Sequence, residues 1–302
     1  MEQIIEERSP DRPLWRRILD FPLIALLIGV VVFACIVAVG VLFQKNHPPM
    51  PKLEFTALFS GLNVVLCFAA YKLVLRHLGE HPRDDLRFRG AVKQLGFGLL
   101  IGAALFSAVV GVAALIGSYG IVACCSTKQI LIVLFDAGVM AAVLEELLFR
   151  GILFRWTEEF GGSWAALVVT SALFGLAHLG NPGATWFSSF CIAMEAGVLL
   201  GGAYMLTRSL WMPIGLHAAW NFAEGYIFDV PVSGQPEQGL VTAKLSGPQL
   251  LSGGPFGLEA SLIAVVLATA VGVWLIVLAV RGGEVVQPWW VRRRAAAAQS
   301  SS

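Results

Sequence analysis

The feature that most constrains this chain is a series of long apolar runs separated by short polar segments. Eight runs each approach the roughly 20 residues that a helix needs to cross the hydrocarbon core of a bilayer. Backbone groups in lipid must be paired within one element, so helices are the structure that fits such runs. The chain is 57% hydrophobic and 14% charged, against roughly 25% charged residues in soluble domains. The sequence predicts an all-α, polytopic integral membrane protein whose transmembrane helices lie near 21–43, 54–76, 91–119, 129–154, 164–180, 185–206, 212–229 and 258–281.

The positions of the basic residues predict the orientation of these helices. With the N-terminus inside, all arginines fall in or beside the cytoplasmic segments: Arg8, Arg12, Arg16, Arg17, Arg76, Arg83, Arg87, Arg89, Arg150, Arg155, Arg208, Arg281, Arg292, Arg293 and Arg294. The basic residues on the other side are Lys45, Lys52, Lys128 and Lys244. Cytoplasmic loops carry the excess of Lys and Arg, so we expect an N-in, C-in protein. A net charge of +1 gives no indication of nucleic-acid binding.

The five cysteines show no spacing typical of a metal site or a disulfide framework. They lie in apolar runs or at the edge of one: Cys35, Cys67, Cys124, Cys125 and Cys191. Free cysteines are among the most buried residue types, so we expect five buried free thiols.

Three charged residues interrupt the fourth apolar run, in the stretch "EELLFR". A charge near the centre of a membrane helix costs roughly 2.5–3.5 kcal/mol on insertion scales and faces the bundle interior. Glu146 and Arg150 are spaced i, i+4 and can pair along one helix face. Glu145 points about 100° away, which leaves it free for proton chemistry. The alternative is a single structural salt-bridge network of all three residues.

His178 is predicted to lie at the same membrane depth as Glu145. The turn between the fourth and fifth runs centres near residue 162, about as far after Glu145 as it is before His178. Two antiparallel helices joined there place both side chains at matching depth. Glu145 and His178 can therefore meet.

A polar stripe follows the seventh run in "HAAWNFAE". His217, Asn221 and Glu224 are spaced i, i+4 and i+7 and share one helix face. Imidazole and amide groups are suitable donors to a developing oxyanion. The alternative for His217 and Asn221 is hydrogen bonding between helices. Glu224 lies further towards the outer face, and its role stays open.

Two other acids lie within the predicted spans. Asp136 precedes Glu145 by nine residues and so faces the opposite side of the helix. Glu195 lies alone in the sixth run, in "CIAMEAG", where it can support the site or another helix. We expect neither to be catalytic.

Two chemistries fit this set of polar residues. In the first, Glu145 and His178 activate water while His217 and Asn221 stabilise a tetrahedral intermediate. In the second, Glu145, His178 and His217 bind zinc and the remaining glutamate is the base. Both describe amide hydrolysis inside a membrane. The sequence contains neither H-E-x-x-H nor G-x-S-x-G, which signal other hydrolases.

Three segments resemble, in order and spacing, the motifs E-E-x-x-x-R, F-x-x-x-H and H-x-x-x-N of the CPBP family, the CAAX proteases and bacteriocin-processing enzymes. They are "EELLFR" (145–150), "FGLAH" (174–178) and "HAAWN" (217–221), with a weaker likeness in "GGPFGLEAS" (253–261). The resemblance implies an all-helical intramembrane endopeptidase. In such enzymes the residues matching Glu145 and His178 activate water, those matching His217 and Asn221 stabilise the oxyanion, and those matching Glu146 and Arg150 support the site.

The resemblance, the apolar runs and the local composition together divide the chain into four parts. Residues 1–126 hold the N-terminal tail and the first three transmembrane helices, and 127–229 form the catalytic core. The Gly- and Pro-rich segment 230–257 is an external loop, and 258–302 hold the last transmembrane helix and the cytoplasmic tail. Its final stretch, "AAAAQSSS", is predicted to be disordered.

The resemblance leaves cofactor and substrate open. Members are commonly labelled metalloproteases, so zinc is a candidate cofactor. The expected partners are a membrane-associated peptide or protein substrate and membrane lipids. Short loops and an arginine-rich inner face are typical of a bacterial inner-membrane protein, for which bacteriocin leaders, self-immunity targets or membrane-protein segments replace a prenylated peptide as candidates.

Two functions of other classes remain as alternatives. A transporter or proton relay would carry ions on Glu145, Glu146 and His178, and would need polar residues that continue to both faces of the membrane. A non-catalytic scaffold would keep the polar residues for packing alone. Variants of Glu145 and His178 that fold but lose peptide cleavage would exclude the scaffold.

Overall fold

The computed structural model describes residues 13–79, 82–124 and 129–300. Arg8, Arg12, Cys125 and Lys128 lie outside these ranges, as does the predicted boundary at 126 and 127. The described part is almost entirely helical, and each predicted apolar run contains one long helix. These helices are α1 (Pro22–Asn46), α2 (Lys52–Leu73), α3 (Ala91–Leu115), α4 (130–161), α5 (Ser163–Ala177), α6 (Trp186–Thr207), α7 (211–227) and α8 (Leu262–Arg281).

The apolar character of these helices confirms the predicted fold class, an all-α polytopic membrane protein. Within the described residues, six helices are long and apolar enough to cross a membrane. The other two long helices, α4 and α7, carry the charged and polar motifs. Leu, Val and Trp side chains on the outer faces of α1, α2 and α8 are exposed, as expected of surfaces that contact lipid.

Three of the long helices contain π-helical segments next to the polar motifs. In α4 these are Leu134–Met140 and Leu147–Phe154, on either side of Ala141–Glu146. In α6 and α7 they are Ala193–Gly197 and Ala223–Ile227. Such π segments are rare in proteins as a whole, and those that occur are often found at functional sites. Glu145 and Glu146 lie in the regular α-helical part of α4. Their side chains therefore point about 100° apart around the helix axis, as predicted.

Glycines bring α3 and α7 into backbone contact. A Cβ atom at Gly98 would lie 2.2 Å from the carbonyl oxygen of Met212, and one at Gly102 would lie 2.2 Å from that of Leu216. A Cβ atom at Gly215 would lie 2.5 Å from the carbonyl oxygen of Leu95. Small residues allow this close approach in membrane bundles. The contact fixes the helix that carries His217 and Asn221.

Buried charges tie several segments together at the end of the bundle where α4 meets α5. The Arg155 guanidinium donates to the carbonyl oxygens of Leu75, Leu78 and Arg83. Arg208 donates to Glu158 at 2.6 Å. A buried charge is tolerated where such hydrogen bonds satisfy it. This network holds the segment before α3 against the end of α4.

The opposite end of the bundle contains structure that the sequence did not predict. Strand β1 (Tyr119–Cys124) pairs antiparallel with β2 (Val241–Leu245). The predicted third span of 91–119 is therefore too long, since α3 ends at Leu115 and a turn follows. The predicted loop 230–257 contains β2, the one-turn helix Gln249–Ser252 and the 3-10 turn Gly254–Phe256, and a further 3-10 turn, Leu258–Ala260, precedes α8.

Short helices flank the bundle in the two terminal segments. They are Leu14–Leu19, which precedes α1, and Trp289–Ser300, which follows α8. The prediction of a disordered end is thus wrong for the described residues of that stretch. The cysteine prediction is wrong for Cys124, which is disulfide-bonded, and for Cys35, which is free but exposed, whereas Cys67 and Cys191 are free and buried.

Candidate active site

Glu146 and Arg150 form the predicted ion pair in a fully buried position. Arg150 Nη1 donates to Glu146 Oε1 at 2.9 Å, and both residues are 0% exposed. Arg150 Nη2 donates to the carbonyl oxygens of Ala196 and Gly197 at the end of the α6 π segment. The guanidinium also lies over the Phe174 ring, 4.8 Å from its centroid. The pair therefore links α4 to both α5 and α6.

Glu146 has a second partner, His217, which the sequence did not indicate. His217 Nδ1 lies 2.9 Å from Glu146 Oε1, the same oxygen that Arg150 contacts. A carboxylate paired with arginine accepts hydrogen bonds only, so Nδ1 carries the hydrogen. The other ring nitrogen, Nε2, lies 3.9 Å from Glu145 Oε2. Glu146 thus sets the orientation of the His217 ring towards Glu145.

His178 is oriented towards the same carboxylate from α5. Its Nδ1 lies 2.7 Å from the carbonyl oxygen of Phe174, which can only accept, so Nδ1 carries the hydrogen here too. Its Nε2 lies 3.9 Å from Glu145 Oε2. The predicted meeting of Glu145 and His178 is confirmed. In the neutral ring Nε2 is the acceptor.

Glu145 lies between the two histidines with one oxygen unpaired. Its side chain is 32% exposed, whereas Oε2 is buried and makes no hydrogen bond to the described residues. Three acceptor atoms therefore face one another, Oε2 of Glu145 and Nε2 of His178 and His217. The gaps of 3.9 Å between Oε2 and each Nε2 are too long for direct hydrogen bonds. A water molecule that bridges the three atoms fits this arrangement.

Asn221 lies one turn beyond His217 on α7, and its side chain is fixed by α4. Nδ2 donates to the carbonyl oxygen of Ala137 at 2.9 Å. Asn221, His217 and His178 line one cavity. The structure thus brings together Glu145, His178 and His217 directly, and places Asn221 beside them.

Zinc, the candidate metal, matches these donors in kind but not in spacing. Tetrahedral zinc with ligand bonds of about 2.0–2.2 Å holds its ligand atoms roughly 3.3–3.6 Å apart. Glu145 Oε2 lies 3.9 Å from both Nε2 atoms. In the described ranges no three His, Cys, Asp or Glu side chains are grouped so as to hold a metal ion. The residues as arranged do not fit the metal.

The remaining intramembrane acids lie outside this group. Asp136 interacts electrostatically with Lys52 and Glu237 near the outer end of α4. Glu195 and Glu224 are buried near Glu259. Sequence reasoning missed Glu259, whose one signal was its place in the "GGPFGLEAS" stretch.

Comparisons with known proteins agree with the three motifs. Residues 126–223 match the family described as "Type II CAAX prenyl endopeptidase Rce1-like". The chain is 23% identical over 242 residues to the Bacillus subtilis protein named "Putative membrane peptidase YdiL". That alignment covers 74% of this chain and 93% of the relative. No solved structure matches the chain significantly. The resemblance predicted from the three motifs is confirmed, because the matched segment contains all three of them, and over that segment the chain is similar to CAAX-type membrane peptidases.

Proposed function

We propose that this CAAX-type membrane peptidase hydrolyses a peptide bond with a water molecule held by Glu145 and His178. The observation that carries the proposal is the meeting of three acceptor atoms, Glu145 Oε2 and the Nε2 atoms of His178 and His217. A water bound there donates its hydrogens to two of them and directs a lone pair away. Glu145 then takes a proton as the water attacks the carbonyl carbon, and returns it to the leaving amine.

His217 and Asn221 are proposed to stabilise the oxyanion that forms in this step. With Nδ1 donating to Glu146, His217 donates from Nε2 only in the doubly protonated state, and in that state the attacking water is held by the two remaining acceptors, Glu145 Oε2 and His178 Nε2. One amide hydrogen of Asn221 bonds Ala137, and the second is available for the intermediate. Such a donor contributes about 10²- to 10³-fold to the rate.

The role proposed for Glu146 and Arg150 is to hold the site, not to react. The ion pair is enclosed on all sides, and Glu146 orients His217 through Nδ1. A buried hydrogen-bonded carboxylate of this kind fixes both the tautomer and the direction of an imidazole ring. Neither side chain needs to change its protonation during the reaction.

The family indicates a peptide or protein substrate at the membrane. We propose that the substrate is membrane-associated and that the protein works in a bacterial inner membrane with its termini inside. The apolar outer faces of the helices supply the lipid contacts, and the partly exposed face of Glu145 is the side from which a peptide reaches the water.

Variants of Glu145 and His178 test the proposal in purified full-length protein. The assay uses a set of quenched fluorescent peptides in detergent. We expect Glu145→Gln and His178→Ala to lower kcat by about 10²- to 10⁴-fold while the melting temperature stays near that of the wild type. Glu54→Gln, at an exposed position on α2, is the control and should keep its activity. Loss of folding in both site variants would favour the scaffold, and full activity in either would refute its assigned role.

Metal dependence needs a separate measurement. The 3.9 Å spacings lead us to expect that the purified enzyme holds less than one equivalent of zinc and that a chelator leaves its activity unchanged. Elemental analysis and dialysis against the chelator check this. Activity that disappears on chelation and returns with added zinc would establish the metal mechanism instead.

A further inference from the structure

Three buried carboxyl groups lie close together behind the candidate site. Glu195 belongs to the π segment of α6, Glu224 to that of α7, and Glu259 to the turn Leu258–Ala260. Glu259 interacts electrostatically with both of the others, and Glu195 with Glu224. Within the described residues none of the three forms an ion pair with a lysine or arginine. Like charges held together away from water cannot all remain ionised.

Hydrogen bonds distinguish Glu259 from Glu195. Glu259 accepts from Trp220 Nε1 at 3.1 Å, and from the backbone N–H and hydroxyl of Ser233 at 2.8 Å each. Both oxygens of Glu195 are buried without a hydrogen-bond partner among the described residues. Glu259 is therefore satisfied by hydrogen-bond donors, whereas Glu195 has no donor to compensate a buried negative charge.

Glu195 also lines the cavity that it shares with the candidate site. The other polar side chains around this cavity are those of His178, His217, Asn221, Ser233 and Glu259. Its volume, counted as the space open to the centre of a water molecule, is about 20 Å³. A water needs roughly 10–15 Å³ by this measure and two to four polar partners. The cavity is thus large enough and polar enough for one water.

We propose that Glu195 is a neutral carboxylic acid that binds one buried water in this cavity. Through the water, Glu195 acts as a positioning residue for Asn221, and this second part rests on the proposed function. A neutral carboxyl group can donate one hydrogen bond and accept others, so it satisfies a water that an apolar residue would leave unpaired. The carboxyl group of Glu195 would otherwise be an unsatisfied buried group.

Infrared spectroscopy of the full-length protein in lipid at neutral pH tests the neutral state directly. We expect the wild type to show the C=O stretch of a protonated carboxylic acid, and Glu195→Gln to lose part of that band. The exposed Glu54→Gln is the matched control and should leave the band unchanged. The band should shift at once in heavy water, because a water in the cavity exchanges its protons.

Each outcome of this experiment decides the first part of the proposal. A wild-type spectrum without the band, or a band whose intensity is unchanged in Glu195→Gln, would overturn it, and the first of these needs no variant to fold. A band that stays unshifted in heavy water would show that the cavity is dry. None of these readings depends on peptide cleavage, so they stand even if the proposed function fails.

The positioning role is tested by kinetics with the same peptides. We expect Glu195→Leu to lower kcat by about three- to tenfold, the worth of one hydrogen bond, with KM unchanged. Glu195→Gln can still bind the water and should recover part of the loss. Equal losses in both variants, or a change confined to KM, would contradict a positioning role.

Discussion

At the scale of single residues, two adjacent glutamates have opposite environments. Glu146 is fully enclosed and binds both Arg150 and His217 through one oxygen. Glu145 is partly exposed, and its buried oxygen faces two imidazole nitrogens without a hydrogen bond. The first arrangement is that of a structural anchor. The second is that of a group that can receive and release a proton.

Glu146→Gln should separate these two roles by its effect on stability. Loss of the carboxylate leaves Arg150 charged and unpaired in the bundle, which costs about 3–5 kcal/mol for buried pairs. Glu145→Gln removes no ion pair with arginine and should cost far less. Thermal melting of both variants and the wild type in detergent measures the difference in stability. Similar losses in the two variants would mean that Glu145 is also part of the anchor.

The sequence predicts contacts within one helix better than contacts between helices. The pairing of Glu146 with Arg150 follows from their spacing alone, and the depth of His178 follows from the turn near 162. The bond from His217 to Glu146 depends on how α7 is rotated against α4, and no local pattern specifies that rotation. Glu259 was missed for the same reason, since its partners Trp220 and Ser233 are distant in the chain.

At the scale of elements, close packing of α3 against α7 determines where His217 and Asn221 lie. Backbone contact at Gly98, Gly102 and Gly215 leaves no room for a side chain. The position of α7 is therefore set on the side away from the candidate site.

Gly102→Ala should destabilise the protein and displace α7. Its Cβ would lie 2.2 Å from the Leu216 carbonyl oxygen, and overpacking of this kind costs about 1–3 kcal/mol. Gly96→Ala on the same helix has nothing within 4 Å of the added atom and is the control. The melting temperatures and peptide-cleavage rates of both variants test this. A Gly102→Ala protein as stable and active as Gly96→Ala would show that the contact is not needed.

The loop after α7 should make stability depend on pH through Glu237. Burial, and secondarily the charge of Asp136, raises the pKa of Glu237 from 4.5 to about 7, although Lys52 opposes the shift. The folded state then binds this proton more tightly than the unfolded state does. The resulting stabilisation is complete below pH 4.5 and is lost as the pH rises through about 7.

Glu237→Gln should therefore weaken the pH dependence of melting across that window. The neutral amide cannot acquire the buried charge, so the variant should lose less stability than the wild type between about pH 5 and about pH 8. Thermal melts at several pH values make the comparison. Parallel curves for the two proteins would show that Glu237 does not titrate in this range.

The apolar runs identify the long helices, but shorter elements escape sequence reasoning. Each run is continuous and local, so it specifies its helix, although α4 ends at Gly161 and not at the predicted residue 154. Strand β1 instead pairs with β2 across more than a hundred residues, and neither strand has a strong alternating pattern. The π segments in α4, α6 and α7 likewise have no signature in the residue spacing.

At the scale of the whole molecule, the arginine pattern predicts that both termini face the cytoplasm. The buried network of Arg155 and Arg208 lies at that end of the bundle, while β1 and β2 lie at the other. A fluorescent protein fused to the C-terminus should therefore lie in the cytoplasm and fluoresce. Alkaline phosphatase fused after residue 246 should lie on the opposite side of the membrane and be active. The reverse pattern would show that the chain is inserted with its termini outside.

The most direct test of the account is to follow the oxygen of the attacking water. Peptide cleavage is carried out in water labelled with heavy oxygen, and the masses of the products are measured by mass spectrometry. We predict that the wild type places one labelled oxygen in each new carboxyl terminus and that Glu145→Gln, still folded, forms no product above background. Labelled product formed by Glu145→Gln at the wild-type rate would contradict the role of Glu145 as the group that activates water.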